Sequence, residues 1–220
     1  MKFDFERRFI MALGLFLIAM STLAEEGIFR NPLGPMTMDA FIATSARLAE
    51  NPVVRGNFEQ ERVLNRLNRS LNSSGNFLVA ADLGMLWETL QPFPSAMALG
   101  MDYIVQSRPG GQKTVLGAQG NETFISLAEV ISSVFSGNTR RLLDNFEVYY
   151  SGSAADWEMG LIPKTQAIAS FAVRIIMKGD AAIRSIIIYE QNSDTITYTL
   201  SNHSYPAEPT IHEKSFFTLP

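Results

Sequence analysis

Few side chains in this chain are suited to covalent or acid–base work. There is no cysteine, and the two histidines, His203 and His212, stand nine apart near the C-terminus. A zinc site needs three or four ligands at suitable spacing, so this pair has no metal logic and reads as surface polar residues. The lack of Cys rules out a disulfide framework, a thiol nucleophile and a lipid-anchored N-terminal cysteine. Glu59 and Glu61 share one face of a predicted strand, as a catalytic carboxylate pair would. Nothing near them in the sequence desolvates either one, so they read as a solvated strand face. Ser73-Ser74 and Ser132-Ser133 have no candidate base. No GxSxG, GxGxxG, Walker-type loop or HExxH occurs. A non-enzyme without cofactor or metal is expected. The 18 basic and 22 acidic residues give a net charge of −4, which leaves no electrostatic footprint for nucleic acid.

The elements around these residues start with an address. Lys2, Arg7 and Arg8 precede an uninterrupted apolar run at 9–20, and Ser21-Thr22-Leu23-Ala24 supplies small residues before a cut expected after Ala24. This is the layout of a secretory signal peptide, and the run is short for a membrane span. The mature chain would hold 15 basic and 20 acidic residues and be soluble outside the cytoplasm. Residues 25–36, with two Pro and two Gly, read as a flexible lead-in, and 37–220 as one domain.

In that domain a helix is expected from Thr37, as cap, to Glu50, with Phe41, Ile42, Leu48 and Ala49 as its apolar stripe. Asn51-Pro52 stops it. Period-two patterns follow. Phe58, Gln60 and Arg62 face one way over 56–63, and Asn57, Glu59 and Glu61 the other. The stretch 68–75 reads as turn. Strand-like pieces then cover 76–81, 85–90, 95–99, 102–107 and 112–116. A second helix over 121–137 places Phe124, Leu127, Ile131 and Phe135 on one face, and 139–143 adds a turn of helix. Alternation returns over 146–150, 156–161, 171–178, 181–190 and 195–200.

About eleven sequential strands and two or three helices predict an α+β fold with one antiparallel, meandering sheet. A single layer of that many strands must curl or close. Its concave face would be lined by Phe58, Trp87, Tyr103, Val105, Trp157, Met159, Phe171, Val173, Ile175, Ile186 and Ile188. Phe124, Leu127, Ile131 and Phe135 would sit on a helical lid.

Four short motifs carry a resemblance. Gly56-Asn57-Phe58-Glu59-Gln60 is similar to the "GxFxQ" strand that follows the first helix in periplasmic lipoprotein carriers of the LolA type. Ser74-Gly75-Asn76-Phe77 resembles their "S-x-G-x-F/L" strand. Gly84-Met85-Leu86-Trp87 with Gln91-Pro92 resembles their "G-x-x-W…P" segment, and Trp157 to Lys164 their "W-x-L-x-L-x-P-K" strand. The likeness runs from about Met38 to the C-terminus.

It implies an incomplete antiparallel β-barrel of about eleven strands with a helical lid over an apolar cavity. It also implies a monomeric periplasmic carrier that takes acylated lipoprotein from an inner-membrane export complex and delivers it to an outer-membrane acceptor. The family's Arg-Pro pair, whose arginine fastens the lid, is replaced here by Val79-Ala80-Ala81-Asp82, and its Asp-Gly turn by Gly100-Met101-Asp102. The missing latch suggests another reading, a chaperone for a different lipid or glycolipid, and because related half-barrels serve as sensors a module that senses a lipid or protein signal is a third.

Overall fold

A computed structural model of the chain describes residues 27–100, 103–109, 112–117, 133–135 and 137–219. Its centre is one sheet of eleven strands in the order β6-β5-β4-β3-β2-β1-β11-β10-β9-β8-β7, every pair antiparallel. One wing is a meander of β1 (Val53–Leu64), β2 (Arg69–Ala80), β3 (Gly84–Gln91), β4 (Ser95–Leu99), β5 (Tyr103–Ser107) and β6 (Lys113–Gly117). The other runs through β7 (Phe146–Ser153), β8 (Asp156–Pro163), β9 (Ala172–Gly179), β10 (Ile183–Glu190) and β11 (Thr195–Ser204). The wings meet where β1 pairs with β11, and β6 and β7 are not paired, so the sheet is an open barrel.

The predicted strands are present, with two instructive differences. Residues 68–75, rich in Asn and Ser, belong mainly to β2, whose first four residues are exposed. They pair with the far end of β1, Arg62 opposite Leu71 and Leu64 opposite Arg69. The hairpin overhangs the sheet, so polar residues occupy strand positions that bury nothing.

The expected lead-in is also docked. Ile28 is buried, and Ile28 and Phe29 lie on the outer face against Gly160. Phe29 meets Tyr149 edge-on at 5.3 Å. The chain then crosses the edge of β7: Leu33 N–H donates to Val148 O and Tyr150 N–H to Asn31 O, both at 2.9 Å. This strap covers an edge that would otherwise expose unpaired backbone groups.

The first helix, α1 (Pro35–Leu48), is capped at Gly34, three residues earlier than expected. Pro35 takes the first helical position, where its missing N–H costs nothing. Thr37 sits three residues after the cap, and its hydroxyl accepts from Gly34 N–H at 3.1 Å. The face α1 turns to the sheet is Phe41, Thr44, Ser45 and Leu48, while Ile42 is 49% exposed. The buried polar pair explains why apolar spacing alone misplaced the stripe. A short helix α2 (Thr139–Asn145) precedes β7, with Asn138 accepting from Arg141 N–H at 3.0 Å. Lys164, from the Pro-Lys end of β8, donates to Leu143 O at the close of α2, where a cation suits the helix terminus. A one-turn helix α3 (Gln166–Ala169) links β8 and β9, and α4 (Ile211–Phe216) follows β11.

Two cores result. The larger fills the concave side beneath α1 and α2, with Phe41, Phe146, Tyr150, Leu161 and Met177 among its members. The smaller lies on the convex side of β1–β5. There Phe217, just beyond α4, packs with Val53, Leu78, Leu86, Ala98 and Val105. Among the described residues no helix is long and apolar enough to cross a membrane.

Candidate functional site: an apolar cavity on the concave face

Strand pairing builds the floor of the site through an exchange between β1 and β2. Phe58 lies opposite Gly75, and Gly56 opposite Phe77. A Cβ at Gly75 would approach the Phe58 ring to 3.0 Å and Glu88 O to 1.9 Å; one at Gly56 would reach the Phe77 ring at 2.8 Å. Each glycine thus leaves the space its partner's ring occupies. Trp87, opposite Phe77 on β3, stacks on Phe58 with centroids 4.1 Å apart, and Tyr198 from β11 meets Trp87 edge-on at 5.0 Å. Three of the four sequence motifs therefore converge on one aromatic floor. The fourth uses the same device: Trp157 lies over Gly179 and donates from Nε1 to Asp180 O at 2.8 Å.

Above and beside this floor is a void of about 90 Å³. It is lined by Phe77, Val79, Met85, Trp87, Met97 and Leu99 from one wing, and by Ile175, Met177, Ile186, Ile188, Tyr198 and Leu200 from the other. Phe135 joins them from a helical turn, 133–135, and Gly137 just after it rests on Ser45 and Ala49 at the end of α1. The void spans the β1–β11 seam. Close-packed interiors leave few voids larger than a water molecule, so this one marks a place the described side chains do not fill.

Among the described lining side chains the only polar groups are the Tyr198 hydroxyl and the Trp87 indole N–H. Burial, reinforced by the nearby Glu190 carboxylate and opposed by Arg62, pushes the Tyr198 hydroxyl up to about 12. It is neutral throughout the physiological range. Beyond it the concave face turns polar. Arg62 binds Glu190 at 2.8 Å and Asp194 at 3.7 Å, and Asp194 accepts from Asn65 N–H at 3.1 Å.

The helix beside the cavity is fastened by a buried hydroxyl pair. Thr44 Oγ1 and Tyr150 Oη are 2.6 Å apart, the Tyr150 side chain is fully buried, and Phe41 meets its ring edge-on at 5.8 Å. Burial raises the Tyr150 phenol above its ordinary value, and the bond to Thr44 works the other way. The stretch Val79-Ala80-Ala81-Asp82 lies at the end of β2 and in the turn after it. Val79 lines the cavity, and Ala80 joins the convex core.

Of the residues expected to line the concave face, Trp87, Phe135, Ile175, Ile186 and Ile188 border the void. Phe58 is buried beneath Trp87, and Trp157, Met159 and Phe171 sit in the same core away from the void. Tyr103 and Val105 are on the opposite face. Val105 pairs with Ala98 and belongs to the convex core, and the Tyr103 hydroxyl donates to Phe217 O at 2.8 Å. The register of β5 is one residue from the expected parity, and a one-residue step exchanges faces. Val173 is 38% exposed, because an irregularity in the β9–β10 pairing passes from Arg174 opposite Tyr189 to Ala172 opposite Glu190. That bulge takes Val173 out of the alternation. Phe124, Leu127 and Ile131 lie outside the described residues.

Phe77, Val79, Met85, Met97, Leu99, Met177, Tyr198 and Leu200 were not anticipated as lining. Several sit in short runs such as Phe77-Leu78-Val79 and Ala96-Met97-Ala98-Leu99, where both faces are apolar and alternation carries no signal. The pairing of Trp87 with Phe77 and Met97 would have found two of them. His203 is also not a plain surface residue. It is partly buried, edge-on to Phe77 at 5.6 Å, and its Nδ1 is 3.3 Å from Arg184. Burial, then the Arg184 charge, lowers its proton affinity. Glu59 and Glu61 are exposed, and among the described residues no three acidic or histidine side chains gather as metal ligands.

No protein-family model and no curated protein matches the chain. Several solved structures are similar to it in shape. One is a LolA superfamily protein from Nitrosomonas europaea, 8% identical over 81% of this chain and 96% of that one, with a TM-score of 0.46. Another is the lipoprotein LppX of Mycobacterium tuberculosis, 14% identical over 80% and 99%, with a TM-score of 0.44. A third is a chain of the Pseudomonas aeruginosa MucA/MucB complex, 8% identical over 84% of this chain and 61% of that one, with a TM-score of 0.45.

Proposed function

We propose that this chain is a divergent carrier of the LolA type, exported from the cytoplasm by residues 1–24, that binds acyl chains of lipoproteins in the cavity and shuttles them as a soluble monomer from the inner to the outer membrane. The observation that carries the reading is the unfilled, almost wholly apolar void over an aromatic floor, in an open sheet where the motif residues meet.

The physical task fits that site. An acyl chain of roughly fourteen methylenes gives up ~11 kcal/mol on leaving a membrane for water, at ~0.8 kcal/mol each. The carrier must offset most of this without holding the cargo too tightly to release. At about 90 Å³ the void is smaller than the ~300–1,000 Å³ of ordinary ligand pockets, so cargo enters by enlarging it. Met85, Met97 and Met177, all in the lining, can re-pack around chains of different length. Phe135 comes from a helical turn outside the sheet, and in this scheme it moves aside as cargo enters. An inner-membrane export complex as donor and an outer-membrane acceptor complete the scheme.

The test is mass analysis of lipid extracted from the protein as purified from the periplasm, with release of a lipoprotein from inner-membrane vesicles. Bound acyl species and lipoprotein release support the carrier. A chain that never holds lipid and releases no lipoprotein overturns it. Extraction of a glycolipid or other lipid in place of lipoprotein would favour the chaperone alternative suggested by the missing latch arginine.

A further inference from the structure

We infer that the Tyr198 end of the void is a subsite for the carbonyl group of an ester- or amide-linked acyl chain, with Tyr198, Trp87 and Arg62 as its hydrogen-bond donors. The inference deepens the carrier reading and rests on it. Trp87 and Tyr198 both border the void, and the rest of its lining is apolar. Their contacts are ring contacts, with Phe58 and with each other. Among the described residues neither the Trp87 indole N–H nor the Tyr198 hydroxyl has a hydrogen-bond partner. An indole N–H can only donate. The Tyr198 hydroxyl keeps its proton, so it too has a hydrogen to give.

Register puts a third donor beside them. Tyr198 lies opposite Gln60 across the β1–β11 seam, and Arg62 opposite Ile196. Arg62 and Tyr198 are thus diagonal neighbours, about 7–8 Å apart and within reach of two long side chains. Arg62 Nη2 is taken by Glu190 and Asp194, but its Nε is buried and has no partner. Gln60, between them, carries an amide that can donate or accept.

Three donors without acceptors at one end of an apolar void call for a ligand that brings an acceptor. A bare alkyl chain closing over them would leave them buried and unpaired, which costs affinity. A carboxylate is the wrong acceptor. Glu190 and Asp194 set two negative charges against the single positive charge of Arg62, so a free fatty acid meets like charge. An uncharged carbonyl oxygen meets only the donors. With the carbonyl held there, the tail lies along the apolar lining, where Val79, Met85 and Leu99 wait.

The experiment measures binding of four twelve-carbon ligands, each below its micelle concentration, to the purified protein stripped of lipid. They are monolauroylglycerol, an ester; lauroyl ethanolamide; 1-O-dodecylglycerol, the ether that lacks only the carbonyl; and laurate at pH 8. The ester and the amide should each bind roughly ten-fold more tightly than the ether, and laurate more weakly than the ester. The tighter of ester and amide tells a glyceride from an N-acylated chain as the source. Tyr198→Phe and Trp87→Phe should each cut the ester-to-ether ratio about three-fold or more. Tyr103→Phe loses a hydroxyl on the convex face and should leave the ratio within about two-fold.

The subsite is overturned if ester, amide and ether bind alike, if laurate equals or exceeds the ester, or if Tyr198→Phe keeps the wild-type ratio. In each of those cases acyl binding itself stands, and the carrier reading survives. If none of the four ligands binds, the carrier reading fails and the subsite fails with it.

Discussion

The two halves of the concave face are made alike and finished differently. Under α1, the inward side chains of β7 and β8 (Phe146, Val148, Tyr150, Met159 and Leu161) are all buried, and Phe41, Thr44 and Leu48 fill the space above them. Toward β3 and β4, Trp87 and Met97 are only partly buried and face the void. Both halves use a glycine opposite an aromatic ring, Gly179 with Trp157 and Gly75 with Phe58. The difference lies in the roof. A helix of fourteen residues tied by a buried hydroxyl pair covers one side, and in the described residues one phenyl ring, Phe135, borders the other. Stability is thus concentrated under α1, where the inward side chains are fully packed, and capacity beside the void.

The sharpest way to break this contrast is truncation on each side. Phe41→Ala should cost about 3–5 kcal/mol, since it opens a cavity in close-packed surroundings. Met97→Ala, beside an existing void, should cost no more than ~1 kcal/mol. Urea midpoints decide it, and equal losses would erase the distinction. Next comes the helix fastening. Thr44→Val leaves the Tyr150 hydroxyl buried without its best partner and should cost about 1–3 kcal/mol. Combining it with Tyr150→Phe should recover most of that loss, which a double-mutant cycle measures. On the open side, Met97→Trp should leave the melting temperature nearly unchanged while weakening fatty-acid binding at least ten-fold, about 1.4 kcal/mol. Titration of a lipid probe checks this, and unchanged affinity would place the ligand elsewhere.

The smallest effect is in pH. Tyr198 keeps its proton in the folded state up to about 12, whereas an unfolded tyrosine loses it near 10. The folded state then binds more protons across that window, so stability falls as pH rises through it, by roughly 1 kcal/mol at pH 11. Denaturation at pH 9 and pH 11 reads the slope, and Tyr198→Phe should flatten it.

How much of this was legible in the residues varied with local contrast. Strands with one wet face, such as Phe146 to Tyr150, announced both their existence and their inward side. The motif glycines marked the aromatic floor. Three kinds of position stayed hidden. The start of β2 carries turn-like residues because its strand stands in solvent. Thr44 and Ser45 face inward on α1 because they meet a polar partner or a close backbone, which apolar periodicity does not count. Tyr103, Val105 and Val173 changed faces through register and a bulge, set by neighbouring strands rather than by their own sequence.

The seam between β1 and β11 joins the first strand of the sheet to the last. Each wing can zip up by local hairpins, yet the two unite only when some 140 intervening residues have been brought round to close the gap. Loop-closure entropy makes that the late, slow event of folding. The halves stay separable until the final strand has been made, and a chain cut short before Thr195 would have two unjoined wings and no seam for the apolar void to span.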